Sequence, residues 1–131
     1  NPKHRSWSGY SFELLCLMHE NQIKKALGIE AVQANVSSWK SKSDTQNVQI
    51  DLLFDRRDQI ITICEMKYSL NTFTIDKKYA QNLRNKISIF KQDSQTKSAV
   101  HLAMITTYGV LENENYFDLV QNNITMKSLF N

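Results

Sequence analysis

The sequence predicts a single α/β domain in which a central mixed sheet is flanked by helices. Three observations carry that prediction. Residues 48–54 and 59–67 are apolar on both faces for most of their length, the pattern of strands covered from both sides. Helix-period segments stand before and after that pair. The chain has 131 residues, 41% hydrophobic and 22% charged, which is enough for one domain, 1–131, with its own core.

Each element follows from spacing. Over residues 8–27, Phe12, Leu15, Met18 or His19, Gln22 or Ile23, and Ala26 or Leu27 recur at helical intervals. Ser8 or Ser11 is placed to cap the start and Gly28 the end. Lys24 and Lys25 fall in the last turns, where the helix dipole favours cations. One long, mostly buried helix is predicted. Val32, Ala34 and Val36 alternate, which predicts a strand over 31–36. The polar stretch 37–47 reads as a loop or a sheet edge. Trp39, near its start, either anchors that stretch to the core or lies at a binding surface.

In 48–54, Val48, Ile50, Leu52 and Phe54 take one face, and Gln49, Asp51 and Leu53 the other. Asp55-Arg56-Arg57-Asp58 reads as a charged hairpin turn. In 59–67, Ile60, Thr62, Cys64 and Met66 face one way, and Ile61, Ile63, Glu65 and Lys67 the other. Residues 71–76 connect to a second long helix over 75–91, where Tyr79, Leu83, Ile87 and Phe90 form the apolar stripe. Its polar side carries Lys77, Lys78, Arg84, Lys86 and Lys91. Residues 100–106 read as another buried strand, closed by Gly109. In the tail, 124–126 are expected to form a short last strand, and Leu129 and Phe130 to plug a hydrophobic corner.

Composition excludes several classes. One proline and three glycines argue against disorder, collagen and flexible linkers. Two cysteines cannot build a disulfide framework. No run of about 18 apolar residues is present, so no membrane span is predicted, and a cytoplasmic location is expected. The chain opens on Asn1 rather than methionine and has no basic–apolar leader, which leaves room for a signal or an upstream domain ahead of it. The net charge of +3 permits binding to phosphate backbones without demanding it.

Charged residues at otherwise core-like positions carry the chemistry. Glu65 and Lys67 are two apart and project from one strand face. Asp51 lies on the neighbouring strand, near the same end of the hairpin; the turn geometry decides how closely it opposes Glu65. Such groups also arise as salt bridges or solvated faces. At the end of a buried strand, however, a carboxylate needs a partner or a metal. Two converging carboxylates make a hard oxygen site suited to Mg²⁺ or Mn²⁺. The ion would polarise a phosphate and activate a water, with the Met66 backbone carbonyl completing the shell. Lys67 would reach the same spot, where it could orient the water or offset developing charge.

These residues resemble a known family. Gln49-Ile50-Asp51, a hairpin, then Glu65-Met66-Lys67 is similar to the core motif of the PD-(D/E)XK nuclease superfamily. Gly9-Tyr10-Ser11-Phe12-Glu13 resembles the glutamate-bearing helix of that fold. More closely, the chain resembles the C-terminal nuclease-like domain of bacterial AAA-type ATPases of Bacteroidetes type. That likeness rests on Gly9 to Glu13, Ile23 to Ile29, Gln49 to Leu53, Cys64 to Lys67 and Thr106 to Gly109. The resemblance implies a restriction-endonuclease-like core. It implies Asp51 and Glu65 as metal ligands, Lys67 as the catalytic lysine, and Glu13 as a helical carboxylate touching the metal directly or through water. It also implies a site lined by Gln49, with Tyr79 and Gln81 as weaker candidates. Ile50 stands where the superfamily's name expects proline. The implied partners are DNA and an upstream ATPase domain, and a homo-oligomer is left open.

No Gly-x-x-x-x-Gly-Lys-Ser/Thr loop occurs, so this piece is not itself the ATPase. Cys16 and Cys64 read as packed thiols, and His4, His19 and His101 are scattered without metal-ligand spacing. The basic residues of the second helix, Lys78 and Arg84 among them, either contact phosphates or solvate a helix face. Two functions therefore stand: metal-dependent hydrolysis of DNA phosphodiesters, and a non-catalytic DNA-binding or regulatory module. A structural domain with an acidic salt-bridge network is the third, plainest reading.

Overall fold

The computed structural model describes residues 2–42 and 46–130, with side chains from Trp7 onward. Its centre is a five-stranded sheet of order β1-β2-β3-β4-β5, formed by β1 (Ala34–Lys40), β2 (Gln49–Arg56), β3 (Ile60–Lys67), β4 (Ala99–Thr106) and β5 (Asn122–Thr125). The first three strands form an antiparallel meander, while β3, β4 and β5 run parallel. The sheet is thus mixed, as expected, and helices cover both faces. On one face Phe12 and Cys16 of α1 (Pro2–Leu17) and Ile23 of α2 (Glu20–Ala26) pack with Leu52, Phe54, Cys64, Ala103 and Ile105. On the other, Ala80, Leu83 and Phe90 of α3 (Lys77–Ser94) pack with Leu53, Ile61, Ile63, Leu102 and Met104. Full burial on both faces explains why β3 and β4 lack polar alternation. No described helix is long and apolar enough to cross a membrane.

The single helix expected over 8–27 is two. α1 already begins at Pro2, whose missing N–H is harmless in a first turn, so Ser8 and Ser11 lie inside the helix rather than capping it. The break falls at His19, at φ −122° and ψ 37°. The His19 N–H donates only three residues back, to Cys16, and the ring Nδ1–H donates to the Leu15 carbonyl at 2.8 Å. The ring also meets Phe130 edge-on at 5.4 Å, so a tertiary contact fixes the break. Gly28 ends α2 at φ +74°, as its residue type suggested.

β1 lies later than the strand expected over 31–36. It pairs with β2 from Ala34↔Arg56 to Lys40↔Gln49, so residues 37–40 form a sheet edge and only the rest of 37–47 connects. An edge strand tolerates the exposed Ser37, Ser38 and Lys40. Residues 43–45 of that stretch lie outside the described residues. Trp39 anchors the edge, edge-on against Phe90 of α3 at 5.1 Å.

α3 starts after Asp76, not at Ile75. The Asp76 carboxylate accepts from the Tyr79 N–H at 2.8 Å and caps the helix, while Ile75 is left outside it as a fully buried plug. Asp76→Ala is expected to lower stability by about 1 kcal/mol in urea unfolding, with an unchanged m-value.

The tail contains a helix the spacing did not predict, α4 (Glu114–Leu119). It is capped by Asn113, whose side chain accepts from Tyr116 N–H at 2.9 Å. β5 sits two residues earlier than expected, followed by a 3-10 turn, Met126–Phe130. Leu129 plugs the core, whereas Phe130 remains largely exposed.

Candidate functional site

The hairpin places the motif. Its turn falls at Arg57 and Asp58, and β2 pairs with β3 from Asp55↔Ile61 to Leu52↔Cys64. The pairing ends one residue short of both Asp51 and Glu65, so the two stand at the same end of the hairpin. At the same place β2 is irregular against β1. Between Ser37↔Leu53 and Trp39↔Ile50, β1 advances two residues and β2 three, so β2 carries one extra residue. Such a bulge bends a strand and re-aims a side chain. It also corrects the strict alternation expected of β2: Ile50 packs in the α3-side cluster with Leu53, not with Leu52 and Phe54.

Glu65 and Lys67 lie on the α3 face of β3, as their spacing with Ile61 and Ile63 requires. Glu65 is mostly buried, and its Oε1 accepts from the Lys86 ammonium on α3 at 2.8 Å. Lys67 is exposed, with its amine 5.9 Å from the Phe73 ring centre and 5.5 Å from that of Tyr79. Glu13 comes from α1. It lines a cleft of about 850 Å³ with Gly9, Met66, Lys67 and residues 68–74. The cleft opens at the carboxyl end of β3, beside the parallel half of the sheet, where α/β proteins generally bind ligands.

Electrostatics tie these groups together. Burial pushes the Glu13 carboxyl above its ordinary value, and the charges of Asp51 and Glu65 push it further, while Lys67 and Lys86 oppose them. Burial likewise raises Glu65; Lys86 pulls it back by charge and hydrogen bond, and Asp51 adds to the rise. Five charged side chains from α1, β2, β3 and α3 thus share one field. Burial and the Glu65 charge also raise the Tyr79 hydroxyl.

A stability consequence follows for Glu13. A carboxyl raised in the folded state favours folding below its ordinary value of 4.5, and that contribution is lost as pH rises through the raised value. At neutral pH its charge therefore opposes folding of the metal-free protein. Glu13→Gln is expected to raise the thermal midpoint at pH 7 without metal. The gain should vanish on acidification below 4.5, when Glu13 is itself neutral. Melting curves across pH check both halves.

Other expected residues fall in different places. Gln49 donates from Nε2 to Asp51 Oδ1 at 2.8 Å, so it holds that carboxylate. Tyr79 joins the site through its ring. The Met66 side chain packs toward α1, and its backbone pairs with Ile105 in the sheet. Lys78 and Gln81 are exposed on α3 and make none of the contacts that join the cluster. Arg84 lies 3.9 Å from Asp118 of α4, a half-exposed pair of little energetic weight. His19 and the two thiols are structural: Cys16 and Cys64 are fully buried, and burial with the nearby Glu13 charge pushes Cys16 up to about 12. His4 has no described side chain.

Lys86 and Phe73 are additions. Lys86 read only as part of a basic face, yet it stands seven residues from Tyr79 and three from Leu83, which is the buried side of the helix. That spacing could have found it. No local pattern marks Phe73, whose position depends on a contact with residues 109–111.

Among the described residues, no three His, Cys, Asp or Glu side chains stand in an arrangement ready to hold a metal ion. By donor type and charge, Glu13, Asp51 and Glu65 nevertheless fit a hard divalent cation, which would relieve their mutual repulsion. Comparison with family models, curated proteins and solved structures finds no match.

Proposed function

We propose that this chain hydrolyses DNA phosphodiester bonds with the help of Mg²⁺ or Mn²⁺, on a restriction-endonuclease-like variant of its mixed sheet. The observation that carries the reading is the electrostatic coupling of Glu13, Asp51, Glu65 and Lys67, of which Glu13 and Lys67 line one cleft. Asp51 and Glu65 come from the same end of a hairpin, Glu65 and Lys67 from one strand face, and Glu13 from the flanking helix.

Glu13, Asp51 and Glu65 would hold the ion. When bound, it supplies Lewis acidity toward a phosphate oxygen and lowers the pKa of a water. The protein's own groups do the rest. Gln49 fixes the Asp51 carboxylate through its 2.8 Å bond. Lys86 neutralises part of the acidic field at Glu65, which lets an anionic backbone approach. Lys67 projects into the cleft, where its ammonium orients the attacking water and offsets charge developing on the phosphoryl oxygens.

The Lys86–Glu65 ion pair, which already balances one of the three carboxylates, favours a second reading, a non-catalytic DNA-binding or regulatory module. Incubation with supercoiled plasmid separates the two. Nicked or linear product in Mg²⁺ or Mn²⁺, abolished by EDTA, supports hydrolysis. Retarded but intact plasmid supports binding alone and contradicts the nuclease reading.

A further inference from the structure

We propose that Phe73, with Tyr79, is the positioning device for Lys67: the two rings form a clamp that holds its ammonium in the cleft, reserved for an anionic phosphodiester. Where Lys67 is held stands on geometry alone; what it does there rests on the nuclease reading.

The cluster places carboxylates and two lysines together. Free to choose, both ammonium groups would collapse onto the acids. Only one does: Lys86 donates to Glu65 at 2.8 Å. Among the described residues Lys67 makes no ion pair, and its amine stands 5.9 Å and 5.5 Å from the ring centres of Phe73 and Tyr79. Ring faces attract a cation without neutralising it. An amine so held keeps its charge and its donors for an incoming oxyanion, and enters the cleft already ordered.

The clamp is built rather than incidental. The two rings meet edge-to-face at 5.0 Å, so each fixes the other. Phe73 is pinned by its backbone: its N–H donates to the Gly109 carbonyl at 2.9 Å, and its carbonyl accepts from Leu111 N–H at 2.8 Å. Gly109 can present that carbonyl because it adopts φ +92°, a conformation that disfavours side chains. Its own N–H donates to the buried Thr106 hydroxyl at 2.7 Å, and the Thr107 hydroxyl accepts from Ser69 N–H at 3.1 Å. Thr106 to Gly109 thus holds the segment after β3 in place. Tyr79 is fixed from the other side, since its N–H is the one that Asp76 caps.

The test has a spectroscopic and a kinetic arm, both on the whole chain. Lysines are reductively methylated with ¹³C, which keeps their charge. The Lys67 resonance is assigned by its loss in Lys67→Arg. Ring currents should set it apart from the other lysines. Phe73→Leu should return it toward them, and Phe73→Tyr should retain the shift. In metal-dependent plasmid cleavage, Phe73→Leu should lower kcat about ten-fold or more with KM little changed, and Phe73→Tyr should restore it. Tyr79→Leu removes the other ring without touching the Gly109 contact and serves if Phe73→Leu fails to fold. An unshifted Lys67 resonance in the native protein, or one indifferent to both leucine variants, overturns the clamp. A shift lost without any fall in kcat overturns its positioning role. A native protein with the shift but no cleavage overturns the nuclease reading while leaving the clamp in place.

Discussion

Lys67→Ala is expected to reduce metal-dependent cleavage by about 10²–10³-fold while leaving the fold intact. The size follows from the role proposed for Lys67, a cation aimed at charge that develops only in the transition state. Stability should change little, because Lys67 is exposed and held by ring faces worth about 1 kcal/mol or less each. Near-native melting with lost cleavage is therefore the expected pair of results. Equal cleavage by both proteins would assign the activity to a contaminant and remove Lys67 from the reaction. Lys67→Arg should recover only part of the rate, since a planar guanidinium does not reproduce a compact ammonium.

Lys86→Ala should do the reverse and lower stability by about 2 kcal/mol. Removing one partner of a buried pair leaves the other charge without compensation. The Lys86 and Glu65 side chains are 26% and 15% exposed, so the loss falls below that of a fully buried pair. Glu65→Gln in the same chain should restore most of the stability, because the orphaned charge is gone. The double-mutant cycle should show a coupling of about 1–2 kcal/mol. Near-additivity in urea unfolding would mean that the 2.8 Å contact contributes nothing. Added Mn²⁺ should offset part of the Lys86→Ala loss, because binding to the folded state stabilises it.

The hairpin at the centre of the site was legible because two kinds of information coincided there. The two-residue period of a strand set the faces of β3, and charged residues enter its apolar run only at Glu65 and Lys67. That combination marked these residues as candidates before any contact was known. The register of Asp51 against Glu65 was not legible, because it depends on where the turn falls and on an extra residue in β2. Neither leaves a glycine or proline signal.

Tertiary contacts account for the other differences. The chain bends at His19 because its ring finds the Leu15 carbonyl and Phe130, not because a helix breaker is present. α4 has six residues, too few for a helical period to stand out, although Asn113 ahead of Glu114 is a recognisable cap. β1 is polar because it lies at an edge, and an edge strand carries little of the pattern that reveals a buried one. Phe73 belongs to the site only because Gly109 turns a carbonyl toward it, 36 residues further along the sequence.

The central claim is that Glu13, Asp51, Glu65 and Lys67 form one cation-dependent site. Diffraction from crystals soaked in Mn²⁺, recorded at the manganese absorption edge, tests it most directly. The account predicts an anomalous peak among the Glu13, Asp51 and Glu65 carboxylates, lost in Asp51→Asn. Full soaking with no peak there would contradict it.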